Sequence, residues 1–129
     1  MAPTQRQLEV QDLLKAEISA IIRDTLRDPL IGFVTVTDAR VSVDLRYADI
    51  YVSVLGDDQA QADTMRALRR AARFVRGQLG RRAVLKYTPE VRFHFDATAE
   101  RAARIESILR DLDIPRDDEP DADTDSSGD

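Results

Sequence analysis

The hydrophobic pattern near the N terminus predicts a long amphipathic helix. Thr4 and Gln7 have the spacing of a capping box at its start. We expect the helix to end at Asp28-Pro29, because the residue before a proline is pushed out of the α region. The apolar stripe of this helix repeats at intervals of three and four residues: Leu14, Ile18, Ile21, Ile22 and Leu26.

The next two runs are typical of β-strands. Phe33 to Val43 is rich in Val and Thr, and its apolar parity changes near Asp38 to Arg40, which predicts a bulge or bend there. After a turn at residues 44–46, apolar and polar positions alternate from Tyr47 to Val54. We therefore expect an antiparallel hairpin whose second strand is half buried.

A central helix, a third strand and a last helix complete the pattern. Asp57 and Asp58 are suited to cap the central helix, and Gly77 and Gly80 indicate its end. Its apolar stripe is Met65, Leu68, Ala72, Val75 and Leu79. The third strand is Val91 to Phe95. The last helix runs from about residue 97 to residue 112, with Ala102, Ile105, Ile108, Leu109 and Leu112 expected to point inward.

The order α-β-β-α-β-α predicts an α+β domain in which helices cover one face of a three-stranded sheet. The strand parities place Tyr47, Tyr51, Arg92 and His94 on the other face. The domain spans residues 1–112. Residues 113–129 form an acidic tail that we expect to be disordered, because it contains almost nothing apolar to bury.

Charge is segregated along the 129-residue chain, so the net charge of −5 does not represent the charge of the domain. The tail carries eight acids and one base, which leaves 18 bases and 16 acids in residues 1–112. No run is apolar enough to span a membrane, no signal-peptide core is visible, and cysteine is absent. We expect a soluble cytoplasmic protein that acts as a monomer.

Motifs of catalysis are missing from the sequence. His94 is the one histidine, and it has no relay or ligand partners in the sequence pattern, so we interpret it as a surface strand residue. Asp57 and Asp58 are better explained as helix caps than as metal ligands. The sequence therefore predicts a protein that is not an enzyme and needs no metal or cofactor.

The basic segment, residues 64–86, is the strongest functional feature. It contains eight cations and no acid: Arg66, Arg69, Arg70, Arg73, Arg76, Arg81, Arg82 and Lys86. Solvated helix faces usually mix charges so that i,i+4 pairs form, whereas these cations repel one another. We expect them to bind phosphates. Residues 77–80 also fit G-x-x-G, the backbone clamp of KH RNA-binding domains, but we favour a helix C-cap.

Several stretches together resemble the ribosome-binding factor A family, over about residues 5 to 112. They occur in the family's order: Leu26-Arg27-Asp28-Pro29 with Gly32, Asp44-Leu45 with Tyr47-Ala48, Ile50 to Gly56, Phe74-Val75-Arg76 with Leu79-Gly80, and Pro89-Glu90-Val91 with Phe93 and Asp96. The family kinks its central helix at an alanine-x-glycine step. This chain has Ala71, Ala72 and Arg73 at that step, so arginine replaces the glycine.

This resemblance implies a type II KH-like fold and a factor that binds immature 30S subunits through 16S rRNA without catalysis. It implies a role in late subunit assembly and in processing of the 16S rRNA 5′ end, above all in the cold, with assembly GTPases as candidate further partners. The eight cations would hold rRNA, and Tyr47, Tyr51, Arg92 and His94 would make secondary contacts. Two alternatives remain open: a KH-like module for single-stranded RNA, and a protein-binding adaptor with an arginine-rich face.

Overall fold

The computed structural model describes residues 2–83, 85–98, 101, 105–106 and 108–110. The elements are α1 (Gln5–Asp24), β1 (Val34–Val41), β2 (Tyr47–Val54), α2 (Asp58–Arg70), α3 (Ala72–Arg82) and β3 (Glu90–Phe95). The described residues from 97 onward are helical. This order confirms the predicted α+β, type II KH-like architecture. The predicted tail at 113–129 lies outside the described residues.

Helix α1 begins as predicted and ends earlier. The backbone N–H of Gln7 donates to Thr4 Oγ1 at 3.1 Å, and the N–H of Thr4 donates to Gln7 Oε1 at 2.9 Å, so the capping box is formed. The helix ends at Asp24 rather than at Asp28. Asp28 instead makes a local turn, in which its carboxylate accepts from the N–H of Leu30 at 2.9 Å, and such bonds compete with helix.

The sheet has the order β1-β2-β3, with β1 antiparallel and β3 parallel to β2. Its register shifts between Val36 and Asp38, which confirms the predicted bulge slightly earlier in the strand. Because β2 is central, β1 and β3 are both edge strands. Contacts divide the chain after Asp96, and the sheet with α1, α2 and α3 belongs to the first unit.

The core lies between the sheet and these helices. Leu14 and Ile18 of α1, Ile50 of β2, Leu68 of α2 and Val75 of α3 are fully buried. The alternate positions of β2 and β3 leave Tyr47, Tyr51, Arg92 and His94 on the opposite face, as predicted. The sheet therefore has one covered face and one open face.

The prediction for the last helix is wrong at three positions. Ile105, Ile108 and Leu109 were expected to point inward, but they are 50%, 52% and 58% exposed. An apolar stripe shows which residues share a helix face, and it does not show that another element covers that face. The other two predicted positions, 102 and 112, lie outside the described residues.

Candidate nucleic-acid interface

The start of α2 fixes how the basic segment is presented. Asp57 is the N-cap, and its Oδ1 accepts from the N–H of Ala60 at 2.8 Å. Further along, buried Thr64 accepts from the N–H of Gly32 at 3.2 Å and donates to the carbonyl of Leu30, also at 3.2 Å. The predicted apolar stripe faces the core, since Met65, Leu68, Val75 and Leu79 are all buried. The opposite side of the helix is therefore open to solvent.

The central helix is interrupted at Ala71. This residue has φ −85° and ψ −2°, far from the ψ of about −42° of a regular α-helix. Its N–H donates both to Ala67 O at 3.0 Å and to Leu68 O at 3.1 Å, a tightened last turn of α2. Helix α3 begins at the next residue, Ala72. The helix is thus interrupted at the expected step although Arg73 stands in place of glycine.

The two glycines of the basic segment do not end a helix and do not form a loop. Gly77 and Gly80 both lie inside α3, whose C-cap is Ala83, so the predicted C-cap is wrong. The G-x-x-G clamp needs a loop, and residues 77–80 are helical here. A methyl group at Gly80 would lie 3.1 Å from Thr88 Oγ1, a tight contact that a small shift of Thr88 would have to relieve.

Three of the eight predicted phosphate-binding cations have carboxylate partners of their own. The pairs are Arg66 with Asp63 at 3.2 Å, Arg70 with Asp28 at 3.4 Å and Arg82 with Glu17 at 2.9 Å. At these three positions, a phosphate would have to compete with a carboxylate of the protein itself. Two of the partners are distant in sequence, so the absence of acids within residues 64–86 could not reveal them.

Two further arginines bond to backbone carbonyls at the β3 side of the domain. Arg69 Nε donates to the carbonyl of Phe93 at 3.4 Å. Arg76 donates from Nε and an Nη atom to the carbonyl of Thr88 at 3.2 and 3.1 Å. A carbonyl orients a guanidinium group without neutralising it. These contacts hold two positive charges in place beside the edge strand.

The remaining cations are Arg73, Arg81 and Lys86, and all three are exposed. None has a carboxylate within ion-pair distance in the described part of the chain. The Lys86 ammonium lies 5.6 Å from the ring centroid of Tyr87. Within the described ranges, three of the eight cations have a carboxylate partner, and the other five can attract an anion.

A groove runs beside α2 and the end of β3. Its volume is about 780 Å³, and its lining combines apolar Met65 and Phe95 with Arg66, Arg69 and Arg70 and with one acid, Asp58. Three cations and an aromatic ring in one groove suit a nucleic-acid strand, whose phosphates are charged and whose bases are flat and apolar.

The open sheet face carries an ordered aromatic and charged cluster. Tyr51 and His94 stack with ring centroids 5.1 Å apart, and the guanidinium of Arg92 lies 4.8 Å from the centroid of Tyr47. Asp49 holds the cluster together, because it accepts from Arg92 at 3.0 and 3.2 Å and lies 2.7 Å from His94 Nε2. The sequence analysis did not single out Asp49, although the alternation of β2 places it on the same face as Tyr47 and Tyr51.

The environment of Asp49 shifts its ionisation. Partial burial raises the pKa of Asp49, but hydrogen bonds from His94 and Arg92 and the charge of Arg92 outweigh burial, so the pKa lies below its ordinary value. The carboxylate is thus ionised and engaged at neutral pH. His94 lies in a strand, as interpreted from the sequence, but it has a carboxylate partner, Asp49, that the sequence pattern did not reveal.

Other kinds of site receive no support within the described residues. No group of three or more His, Asp or Glu side chains there could hold a metal ion. No helix in the described part of the chain is long and apolar enough to cross a bilayer.

The fold and the basic segment define a class: small KH-like α+β proteins with a cationic central helix. The family model of ribosome-binding factor A matches residues 6–109, and the chain belongs to that family. Ribosome-binding factor A of Desulfitobacterium hafniense (strain DSM 10664 / DCB-2) is 49% identical over 105 residues, which are 81% of this chain and 84% of the relative.

Solved structures agree with this assignment. The crystal structure of ribosome-binding factor A from Thermus thermophilus is similar with a TM-score of 0.61 and 27% identity, over 68% of this chain and 93% of that one. A homology model of the Thermus thermophilus factor, fitted into a cryo-EM map of a 30S–RbfA complex, matches with a TM-score of 0.54 and 29% identity. That match covers 64% of this chain and 87% of the other.

Proposed function

We propose that this protein is a maturation factor that binds immature 30S subunits through 16S rRNA and performs no chemistry itself. The observation that carries the proposal is that five cations of the basic segment have no carboxylate partner among the described residues. Membership of the ribosome-binding factor A family supports the ribosome as the source of the anion. The fitted model of the Thermus thermophilus factor supports the small subunit in particular.

The mechanism follows from binding alone. The basic segment docks on rRNA phosphates, which position the protein but carry no sequence information. The shape of the interrupted helix then selects one arrangement of the rRNA, because structured RNA is recognised largely by shape. A factor that binds one rRNA conformer more tightly shifts the population toward it. In this way the protein assists late assembly and processing of the 16S rRNA 5′ end, with its largest effect in the cold.

The proposal includes secondary contacts and a setting. Tyr47, Tyr51, Arg92 and His94 offer rings and a guanidinium group on the open sheet face, and such groups stack on unpaired bases. The protein acts as a cytoplasmic monomer, with assembly GTPases as candidate further partners.

The test is co-sedimentation with purified small subunits after charge reversal of Arg69, Arg70 and Arg73 to Glu. We expect binding to be abolished while the circular dichroism spectrum is retained. The matched control reverses Arg6, Lys15 and Arg46, three exposed cations outside the basic segment and outside the grooves of the domain. The control should bind normally, and a test variant that still co-sediments like the wild type would falsify the mechanism.

A second candidate function is a KH-like module for free single-stranded RNA. The groove beside α2 and β3 favours it, since a strand could lie along Met65 and Phe95. The helical state of Gly77 to Gly80 weighs against it, because the backbone clamp is not formed. RNA recovered with the protein from a lysate separates the two candidates: small-subunit rRNA supports the first and scattered transcripts support the second. A partner that survives nuclease would instead indicate a protein-binding adaptor.

A further inference from the structure

We propose that the free edge of β1, together with the groove beside α1, is a docking site for an extended and mainly apolar segment of another protein. The segment would add to the sheet as a short strand. The basic segment adjoins this groove through the Arg70–Asp28 pair but contributes no residue to its lining, so this is a second surface with a different chemistry. The inference rests on the proposed function in one respect: we take a protein of the small subunit as the source of the segment.

The first observation concerns the backbone of the edge. The N–H of Leu55 donates to the carbonyl of Phe33 at 3.0 Å, so Phe33 points its polar groups toward β2. Polar groups alternate between the two sides of a strand in an antiparallel pair. Val34 and Val36 therefore point their N–H and C=O groups away from β2, toward the outer edge. An edge of this kind is a template for another strand.

The other end of the same edge is closed by side chains. Gln11 Oε1 accepts from the N–H of Val41 at 3.1 Å, and Gln7 Nε2 donates to the carbonyl of Val41 at 3.0 Å. The N–H of Ala39 donates to the neighbouring carboxylate of Asp38 at 2.8 Å. Within the described residues, no such bond reaches the outward groups of Val34 and Val36. The edge is thus capped after the bulge and open before it.

The second observation is the groove that borders this open stretch. It has a volume of about 440 Å³ and lies between the C-terminal half of α1 and β1. The apolar part of its lining is Ile22, Leu26, Ile31, Phe33, Val34 and Val36. Phe33 is 79% exposed at its rim, although an aromatic ring of this size usually buries most of its surface. A strand at the edge could hydrogen-bond to Val34 and Val36 and place apolar side chains in the groove.

Charge decides which kind of partner fits. The charged residues of the lining are already compensated: Arg23 pairs with Asp24 at 3.0 Å, and Asp28 pairs with Arg70 at 3.4 Å. The groove therefore has no excess positive charge to attract a polyanion, unlike the basic segment. Unpaired backbone groups beside an apolar floor match a polypeptide strand.

The experiment is hydrogen–deuterium exchange of the full chain, read at the amides of Val34 and Val36 and along α2 and α3. Three samples are compared: the protein alone at two concentrations, the protein with protein-free 16S rRNA, and the protein with purified small subunits. We expect protein-free rRNA to slow exchange in the helices alone. Small subunits should additionally slow the two edge amides about fivefold or more, the factor that one net hydrogen bond provides.

A variant that fills the groove sharpens the test. Ser19 lines the groove from α1 and bonds there to the carbonyl of Lys15, so Ser19→Arg should preserve the helix and obstruct the groove. With small subunits present, Ser19→Arg should abolish the slowing of exchange at Val34 and Val36 and leave the slowing along α2 and α3 unchanged. Ala16→Arg is the matched control, because it adds the same charge at an exposed position of α1 outside the groove.

Each other outcome has a defined meaning. If protein-free rRNA slows exchange at the amides of Val34 and Val36, the occupant is RNA and the proposal is overturned. If exchange at these amides slows as the protein concentration rises, the occupant is a second copy of this chain instead. Subunits that protect the helices and leave the edge unchanged would also overturn it. Protection of the edge without the helices would support the docking site and refute the proposed rRNA contact, while protection of neither would refute both.

Discussion

The partner of each arginine should determine how strongly it contributes to RNA binding. Arg73 has no carboxylate partner in the described part of the chain, whereas Arg82 lies 2.9 Å from Glu17. A phosphate that contacts Arg73 releases counterions and disrupts no ion pair among the described residues. A phosphate that contacts Arg82 must compete with Glu17. We therefore expect Arg73→Gln to weaken binding of 16S rRNA more than Arg82→Gln does.

The magnitude follows from counterion release. Each phosphate contact contributes about 0.7 to 0.9 to the slope of log K against log salt, so about five contacts would give a slope of about −3.5 to −4.5. Removal of one full contact at Arg73 should make the slope less steep by about 0.7 to 0.9. At about 0.1 M salt this corresponds to an affinity loss of about five- to eightfold. The change in slope caused by Arg82→Gln should be less than half of the change caused by Arg73→Gln.

The assay is filter binding of labelled 16S rRNA to the full chain at several salt concentrations. Glu17→Gln provides a matched control, because it releases Arg82 from its partner at nearly constant side-chain size. That variant should bind more tightly at low salt and show a steeper slope. Equal slopes for Arg73→Gln and Arg82→Gln would refute the reasoning, as would a wild-type slope for Glu17→Gln.

Three further predictions concern stability and are read from urea or thermal unfolding. Gly77→Ala should stabilise the protein by about 0.5–1 kcal/mol, since Gly77 is helical and a methyl group there meets nothing within 4 Å. Gly80→Ala should show no such gain, because its methyl group would lie 3.1 Å from Thr88. Equal gains for the two variants would contradict this prediction. Thr4→Ala should cost about 1 kcal/mol through loss of the capping box, and an unchanged midpoint would argue against the box in solution. The pKa of Asp49 is lowered in the folded protein, so its ionised form stabilises the fold at neutral pH. This stabilisation is lost as the pH falls from 3.8, the ordinary pKa of the group, through the lower folded-state pKa. Asp49→Asn should therefore be less stable than the wild type at pH 7, with a difference that shrinks below about pH 4, and a difference that does not vary with pH would contradict this cause.

Local sequence signals predicted the elements well because each depends on neighbours in the chain. The capping box needs Thr4 and Gln7, and the N-cap of α2 needs Asp57, and both are formed. The bulge in β1 followed from a change of apolar parity. The end of α1 was placed too late: the helix ends at Asp24, and Asp28 begins a separate turn that contains Pro29.

The sequence predicted which cations make up the candidate site, but it predicted only in part how they are arranged and paired. All eight cations of the basic segment are exposed, as the helical pattern required. Their partners could not be read from the segment, because Glu17, Asp28 and the carbonyls of Thr88 and Phe93 come from other elements.

The amino-acid sequence by itself determined the α+β order, the buried stripe of the central helix and the concentration of positive charge opposite that stripe. These properties follow from periodicity and from charges that lie close together in the chain. The tertiary structure alone decided which arginines remain without a carboxylate, and it left the backbone of Val34 and Val36 open at the edge of the sheet. Both outcomes depend on which distant segments meet, and the physical cause is that ion pairs and strand edges are completed by neighbours in space rather than in sequence.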